Sequence, residues 1–221
     1  MTETSTLRVT EKFLSIQGES THAGRLCYFI RLSGCNLRCR YCDTLYAQSF
    51  TSGSEETITS LVAGARASGV NLVEITGGEP LAQGPAAAQL CRELLAAGFE
   101  VLVETNGSAD IGILPPGTIR ILDCKTPSSG EAEQMNFDNY EQLTPRDEIK
   151  FVLSNRQDYD YARDIIRRYR LEEKTPHLIF SPVWPALPPR QLAAWLIADR
   201  PPVRMQLQLH KYIWGPEQQG V

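Results

Sequence analysis

Residues 33–44 contain three closely spaced cysteines and read Ser33-Gly34-Cys35-Asn36-Leu37-Arg38-Cys39-Arg40-Tyr41-Cys42-Asp43-Thr44. The Cys-x3-Cys-x2-Cys spacing lets one loop bring three thiolates to a single inorganic centre. A closed structural zinc site needs four ligands, and no fourth cysteine or histidine follows at zinc-finger spacing. An iron–sulfur cube can use three thiolates and leave its fourth iron open. The alternative is a zinc or disulfide loop with Cys27 or Asp43 as the fourth group, although Cys27 falls in the preceding predicted strand.

Length and composition indicate an ordinary globular protein. The chain has 221 residues, of which 42% are hydrophobic and 22% charged, and its formal net charge is −4. This length suits one sizeable core, so we expect a single domain over residues 1–221. The acidic balance and the absence of a basic run disfavour free DNA or RNA as a partner.

The same sequence features suggest where the protein works. No apolar run approaches the ~20 residues that span a bilayer, and residues 1–10 lack the charged start and apolar centre of a signal peptide. Six cysteines in a chain of this size do not suggest a secreted disulfide framework. We therefore expect a cytoplasmic protein without a membrane partner, in a compartment that keeps the clustered thiols reduced.

Predicted strands and helices alternate along most of the chain. Short apolar runs predict strands, and apolar residues at helical spacing, as in 58–65, predict helices. Residues 1–11 are predicted as an arm or the start of an edge strand, and 131–146 as a loop with one helical turn. This order is typical of an α/β protein. About six parallel strands are too few for a complete eight-stranded barrel, so we predict a partial, open βα barrel. The predicted strands are 26–32, 70–76, 99–104, 118–122, 148–153, 177–181 and 203–209, and the predicted helices are 55–68, 85–97, 156–170 and 190–198.

Polar or glycine-rich motifs follow three of these strands. Because ligands collect at the carboxyl ends of strands in parallel α/β folds, we expect one site shared with the cysteine loop. The paired glycines would let backbone approach a ligand where a Cβ would collide. The alternatives are plain turns for the first two motifs and core packing for Cys124, as for Cys91. The motifs are Gly77-Gly78-Glu79-Pro80, Glu104-Thr105-Asn106-Gly107 and Asp123-Cys124-Lys125.

The cysteine loop resembles the signature of the radical S-adenosylmethionine superfamily, Cys-x3-Cys-x-aromatic-Cys, with Tyr41 as the aromatic residue. The resemblance implies the radical S-adenosylmethionine core fold, with Cys35, Cys39 and Cys42 binding a [4Fe-4S] cluster. The open iron would chelate S-adenosylmethionine, and reduction of the cluster would release a 5′-deoxyadenosyl radical. Gly78 would contact the methionine amino group. The other residues expected to bind the cofactors are Tyr41, Glu104, Asn106, Asp123, Cys124 and Lys125.

Further motifs narrow the resemblance to the 7-carboxy-7-deazaguanine synthase family. These motifs keep a consistent order over nearly the whole chain. A departure is Ser20, where the family most often has glycine. The motifs are Phe13-Leu14-Ser15-Ile16-Gln17-Gly18-Glu19, Arg31, Cys42-Asp43-Thr44, the segment 123–130, Glu148-Ile149-Lys150-Phe151-Val152 and Gln208-Leu209-His210-Lys211-Tyr212-Ile213-Trp214.

This family resemblance implies a lyase of queuosine and 7-deazapurine biosynthesis. The radical would take hydrogen from C6 of 6-carboxy-5,6,7,8-tetrahydropterin, the ring would contract, ammonia would leave, and 7-carboxy-7-deazaguanine would form. S-adenosylmethionine would be regenerated. Magnesium would assist, with Thr44 supplying a hydroxyl ligand; without the family, Thr44 is equally well explained as a residue capping the turn. The resemblance also implies a homodimer and a reductant such as flavodoxin or ferredoxin.

Several residues are expected to hold the pterin or to surround it. Arg31 can bind the substrate carboxylate with a bidentate pair, and the alternative is a solvated arginine at a strand end. Backbone and amide groups of residues 16–18 can hydrogen-bond the planar pterin edge. The tail after residue 209 could close the pocket or form a dimer contact. The expected substrate residues are Ile16, Gln17, Gly18, Arg31 and Thr76, and the tail residues are His210, Lys211 and Trp214. His22 and His177 are expected to be surface or structural residues rather than catalytic ones.

Two other functions use part of these features. An activating enzyme that installs a glycyl radical on a partner protein shares the cysteine loop and the Gly-Gly-Glu-Pro turn, but leaves the Ser-Ile-Gln-Gly-Glu segment and Arg31 unexplained. A non-catalytic iron–sulfur or zinc carrier has no need for strand ends that bind a ligand. This sequence predicts three such strand ends in addition to the cysteine loop, and a carrier leaves them unexplained.

Overall fold

A nine-stranded sheet forms the centre of the structure, a computed structural model that describes residues 5–216 and 218–221. The strands are β1 Thr6–Ile16, β2 Leu26–Leu32, β3 Ser54–Thr57, β4 Leu72–Gly77, β5 Glu100–Thr105, β6 Ile119–Asp123, β7 Glu148–Leu153, β8 His177–Pro182 and β9 Arg204–Met205. Their spatial order in the described residues is β3-β1-β2-β4-β5-β6-β7-β8-β9. β1 is antiparallel to β2 and β3, and the other neighbouring pairs are parallel.

Of the six parallel strand pairs in the described residues, four are connected through an α-helix, as the alternating pattern predicts, and β5–β6 and β6–β7 are connected through short 3-10 helices. Side-chain caps begin two of the α-helices: Thr57 accepts a hydrogen bond from the Ser60 amide, and Asn155 accepts one from the Asp158 amide. No helix in the described residues combines the length and the apolar character needed to cross a bilayer. The helices are α1 Ile58–Ala67, α2 Pro85–Ala96, α3 Arg156–Tyr169, α4 Pro189–Asp199 and α5 Leu209–Ile213.

The strands bury different side chains on their two faces, because successive residues of a strand point to opposite sides. On β4, Val73 and Ile75 pack in the large core with Leu90 and Leu94 of α2. The intervening residues face the inside of the curved sheet. There a small apolar cluster forms a floor, and polar side chains lie beyond it. The buried members of this cluster are Cys27, Phe29, Leu72, Leu102, Ile119 and Ile121.

The prediction of a partial barrel is confirmed, with differences at its edges. In the described residues the two edge strands, β3 and β9, do not pair with each other, so the sheet stays open. β1 continues to Ile16, well beyond the predicted arm, because it pairs with β2 along most of its length. β3 takes the residues predicted to start the first helix, which instead begins at Ile58.

The last predicted strand is shorter than expected. β9 contains two residues, the side chains of Gln206 and Gln208 bind the loop after β1, and α5 begins at Leu209. The segment 131–146 contains two short 3-10 helices, Ala132–Gln134 and Phe137–Gln142, where one helical turn was predicted.

Candidate functional site

A cavity of about 410 Å³ lies at the carboxyl ends of the parallel strands. The cysteine loop, the loop after β1 and the carboxyl-terminal tail complete its wall. Every predicted site residue except Cys124 lines it. These are Ile16, Gln17, Gly18, Arg31, Cys35, Cys39, Tyr41, Cys42, Thr44, Thr76, Gly78, Glu104, Asn106, Asp123 and Lys125. The structure therefore brings residues from six separate segments of the sequence to one site.

Cys124 corrects the sequence prediction. Its neighbours Asp123 and Lys125 face the cavity, so alternation turns Cys124 to the opposite side, into the large core. There the Tyr140 hydroxyl donates a hydrogen bond to its Sγ at 3.1 Å. Cys124 is a packing residue, as the alternative interpretation of the motif held.

The Gly77-Gly78 turn supports the cysteine loop. The Gly34 carbonyl accepts a hydrogen bond from the Glu79 amide at 2.8 Å, and the Gly34 amide donates to the Ala47 carbonyl at 2.8 Å. A Cβ on Gly78 would lie 2.3 Å from the Gly34 carbonyl oxygen, closer than any real contact. Glycine at this position is therefore required for the strand end and the cysteine loop to approach each other, in addition to any contact with a ligand.

The three loop cysteines are free thiols that line the same cavity. Burial raises the pKa of the Cys39 thiol to about 11, and the charges of Asp123, Cys42 and Cys35 add to the effect against that of Lys125. Burial likewise raises the pKa of Cys35. Since thiolates are the metal ligands, these groups would ionise only when a metal centre compensates their charge.

This donor set fits an iron–sulfur cluster, because thiolates are the ligands that such clusters use. Cys35, Cys39 and Cys42 lie on one loop and line one cavity, so each can bind a separate corner of a four-iron cluster. The amide nitrogen of Asn106 lies 3.9 Å from the Cys35 sulfur and is placed to donate to it.

Asp123 and Lys125 form an ion pair in the wall of the same cavity. Lys125 Nζ donates to Asp123 Oδ2 at 2.6 Å. The other carboxylate oxygen, Oδ1, is buried and has no hydrogen-bond partner among the described residues. An unpaired buried acceptor is costly, so a ligand hydroxyl at this wall would remove the cost. The ribose of S-adenosylmethionine carries such hydroxyls, and this part of the cavity fits that cofactor.

Tyr41 is fixed between the cysteine loop and the sheet. Its hydroxyl donates to the Val152 carbonyl of β7 at 3.2 Å. Burial raises the pKa of Tyr41 to about 12, so the phenol stays neutral. The aromatic ring thus joins the loop that carries Cys39 and Cys42 to the sheet.

Glu79 is a residue of the glycine motif to which the sequence assigned no role. Its buried carboxylate accepts hydrogen bonds from the Thr105 hydroxyl at 2.8 Å, the Asn106 amide at 2.6 Å and the Leu81 amide at 2.9 Å. It does not line the cavity. Glu79 connects the Gly-Gly-Glu-Pro turn to the Glu-Thr-Asn-Gly turn and so sets the spacing of two strand ends.

Lys150 is the second residue that sequence reasoning missed. Its Nζ lies 2.9 Å from Glu19 Oε2 and also donates to Glu104. Burial alone would raise the pKa of Glu19, but Lys150, His210 and Gln208 outweigh burial and lower it to about 2. A lysine between apolar residues of a predicted buried strand is the signal that could have revealed this ion-pair network.

Arg31 lies in the cavity wall with part of its guanidinium already engaged. Its Nε donates to Glu11 Oε1 at 2.7 Å, and the Tyr46 hydroxyl donates to the same oxygen at 2.8 Å. The side chain also lies against the rings of Phe13 and Tyr46. Within the described residues, its two terminal nitrogens make no hydrogen bond, so a ligand carboxylate can reach both of them.

Gln17 has both ends of its side-chain amide engaged inside the protein. Nε2 donates to Glu74 Oε2, and Oε1 accepts from the Glu19 amide at 2.9 Å. The backbone of Gln17 is also paired, with Arg25 and Gly24. The side chain therefore has one fixed orientation, which positions Glu74 in the cavity.

The chain from Leu209 onward lies against the cavity. Of the two roles predicted for the tail, closing the pocket and forming a dimer contact, this position agrees with the first. The Leu209 amide donates to the Gly18 carbonyl at 3.0 Å, and Lys211 Nζ lies 2.7 Å from Asp43 Oδ2. His210 and Lys211 line the cavity, whereas Trp214 does not. The Thr44 hydroxyl donates to Asp43 Oδ1 at 3.0 Å, so the tail also approaches the end of the cysteine loop.

Ser20 shows how the segment after β9 stabilises the loop after β1. Its φ of 65° lies in the left-handed region that favours glycine. Gln206 accepts from the Ser20 amide and donates to the Ser20 carbonyl, both at 2.6 Å. This pair of hydrogen bonds supports the strained conformation.

Comparison with known proteins gives consistent results. Residues 29–122 match the family model described as the Radical SAM superfamily. The 7-carboxy-7-deazaguanine synthase of Koribacter versatilis is 41% identical over 230 aligned positions, covering 97% of this chain and all of the relative. The enzyme of the same name from Chlorobaculum tepidum is 42% identical over 224 positions and covers all of both chains.

A solved structure shares the fold. The crystal structure of QueE from Escherichia coli superimposes with a TM-score of 0.72, covering 92% of this chain and 94% of that one. The two sequences are 22% identical over this alignment. At that identity the likeness supports the partial barrel and no more.

Proposed function

Because this chain belongs to the 7-carboxy-7-deazaguanine synthase family, we propose that it converts 6-carboxy-5,6,7,8-tetrahydropterin into 7-carboxy-7-deazaguanine with release of ammonia. The observation that carries the proposal is a single cavity lined both by the three loop cysteines and by Arg31. Its volume of about 410 Å³ is typical of small-molecule sites. When bound, the [4Fe-4S] cluster and S-adenosylmethionine would supply the 5′-deoxyadenosyl radical that takes hydrogen from C6.

Arg31 binds the substrate carboxylate. Glu11 holds its Nε, which orients the guanidinium and leaves the terminal nitrogens for a bidentate contact. Because the guanidinium lies against the rings of Phe13 and Tyr46 and only 17% of the side chain is exposed, little side-chain freedom is lost on binding. The preformed orientation places the carboxylate, and with it C6, at a fixed position in the cavity.

The cysteine loop and the end of β6 bind the cofactors. Cys35, Cys39 and Cys42 ligate the cluster, and the unpaired Oδ1 of Asp123 accepts a ribose hydroxyl. Lys125 holds the Asp123 side chain in place through their 2.6 Å ion pair. When bound, the cofactors would supply the radical in the same cavity that Arg31 lines.

Thr44 contributes a hydroxyl oxygen to a magnesium ion. The hydroxyl donates to Asp43, so its lone pairs stay free to bind a cation. Magnesium accepts hard oxygen ligands and usually keeps several waters, and substrate oxygens would complete its coordination. If replacing Thr44 with alanine left the magnesium dependence of turnover unchanged, this assignment would fail.

The partners follow from the same family membership. The enzyme forms a homodimer and receives its electron from a flavodoxin or a ferredoxin. Arg38 and Arg40 are exposed on either side of Cys39, where a small acidic carrier can approach the cluster. Size-exclusion chromatography with light scattering tests the dimer, and reduction of the cluster by purified carriers tests the electron donor.

The deciding experiment is anaerobic reconstitution with iron and sulfide, followed by incubation with dithionite, S-adenosylmethionine and carboxytetrahydropterin. We expect a deazaguanine product. Formation of 5′-deoxyadenosine without that product would instead support the activating-enzyme alternative. That alternative is disfavoured because residues 16–18 and Arg31 line the cavity, where a protein glycyl substrate gives them no role.

A further inference from the structure

Glu74 is a buried carboxyl in the cavity wall that takes no part in the proposed binding of the carboxylate, the cofactors or the magnesium ion. It lies on β4, between Phe29 of β2 and Leu102 of β5 in the register of the sheet. Its side chain lines the cavity, and only 3% of the residue is exposed. A buried carboxyl needs hydrogen bonds or a counter-ion, yet within the described residues Glu74 forms no salt bridge, whereas Glu19 and Glu104 share Lys150.

The hydrogen bonds around Glu74 decide which of its oxygens carries a proton. Gln17 Nε2 donates to Oε2, so Oε2 acts as an acceptor. The Gln17 amide cannot be reversed, because its own oxygen accepts from the Glu19 amide at 2.9 Å. If Glu74 is neutral, the proton therefore lies on Oε1, which has no partner among the described residues.

The surroundings favour the neutral form. Burial raises the pKa of Glu74 well above the usual 4.5, and the negative charges of Glu104 and Glu19 add to that effect. Lys150 and Arg31 act in the opposite direction but are engaged by other carboxylates. A neutral carboxylic acid offers one O–H donor.

We infer that Glu74 is a specificity-determining residue, whose Oε1 donates a hydrogen bond to an acceptor atom of the substrate ring, a carbonyl oxygen or an unprotonated ring nitrogen. The inference rests on the proposed function, since the pterin supplies the acceptor. Glu74 then selects heterocycles that present an acceptor at this wall. A ring with an N–H group there would face a second donor and bind poorly.

Two variants and one control test the assignment. Glu74→Gln keeps the shape, the acceptor for Gln17 and an N–H donor toward the cavity. Glu74→Met keeps most of the volume and removes the donor. Glu93→Met, on the exposed face of α2, is the matched control.

Steady-state kinetics of the reconstituted enzymes are measured with carboxytetrahydropterin. We expect the KM of Glu74→Gln to stay within about threefold of the wild type and that of Glu74→Met to rise about tenfold or more, with a smaller change in kcat. A KM for Glu74→Met equal to that of Glu93→Met would overturn the inference. So would an equal loss in both Glu74 variants, since that result would mean an ionised carboxylate is required.

Infrared difference spectroscopy reports the protonation state of Glu74 directly. A purely structural role for the residue does not require the neutral form. The wild-type minus Glu74→Gln spectrum near neutral pH should contain the C=O stretch of a neutral carboxylic acid. Carboxylate bands in its place would overturn the inference even if Glu74→Met failed to fold.

If the wild type forms 5′-deoxyadenosine but no deazaguanine, the proposed function fails and this inference fails with it. If product forms and only the Glu74→Met prediction fails, the proposed function stands.

Discussion

Replacing Lys150 with methionine should destabilise the protein through the carboxylates that the lysine neutralises. The side chain of Lys150 is 4% exposed and binds both Glu19 and Glu104. The pKa of Glu19 lies at about 2, against an ordinary value of 4.5. At about 1.4 kcal/mol per pH unit, the surroundings of ionised Glu19 stabilise the native state by about 3 kcal/mol. This magnitude agrees with the 3–5 kcal/mol, roughly, lost when one partner of a buried ion pair is removed.

The expected result is a loss of about 3 kcal/mol in the free energy of unfolding at neutral pH, or about 6–12 °C in melting temperature for a chain of this size. The metal-free, reduced protein is unfolded in urea at several pH values. In the wild type, the contribution of Glu19 is present above pH 4.5 and is lost as the pH falls toward about 2. In the variant, the uncompensated carboxyls have raised pKa values, so the deficit should shrink between about pH 8 and pH 5.

Lys174→Met is the matched control. Lys174 pairs with Glu141 at 2.7 Å, but 74% of the Glu141 side chain is exposed. Exposed pairs of this kind contribute about 0–1 kcal/mol. If Lys150→Met costs no more than Lys174→Met, or if its deficit is independent of pH, the argument from buried charge is refuted.

Three further substitutions test the geometry of the site. Gly78→Ala should abolish most iron and sulfide incorporation, because its Cβ would lie 2.3 Å from the Gly34 carbonyl oxygen; Gly64→Ala, which meets only the tip of a tyrosine side chain, should reconstitute normally. Glu79→Ala should cost about 3 kcal/mol or more in urea unfolding, since it leaves two amides and a hydroxyl without their buried acceptor; an effect below about 1 kcal/mol would contradict the connecting role. Arg31→Lys should raise the KM for the pterin carboxylate about tenfold with less change in kcat, because lysine cannot form the bidentate contact; an unchanged KM would exclude that contact.

The sequence alone predicted the cysteine loop as a cluster site, the βα order and the motifs at the strand ends. These features are local: the spacing of cysteines along one loop, and apolar runs that end in glycine or polar residues, can be recognised without knowing what lies across the sheet. The resemblance carried by these motifs also predicted the family, which the relatives confirm. The prediction failed at Cys124 because all three residues of the Asp123-Cys124-Lys125 motif were assigned to the site. Side chains alternate along a strand, so Cys124 points away from the cavity that its two neighbours line.

Only the tertiary structure decided how charges are shared inside the cavity. Lys150 and Glu19 are 131 residues apart in the chain, and Gln17 and Glu74 are 57 apart. Nothing in the local pattern of β4 distinguishes Glu74 from a solvated strand residue; its 3% exposure and its contact with Gln17 result from the curvature of the sheet and the loop after β1. The chain after β9 acquires its role in the same way, since its contacts with Gly18, Glu19 and Asp43 form only when the barrel has formed. Electrostatic energies depend on distance through space and on burial, and both are set by the fold rather than by position along the chain.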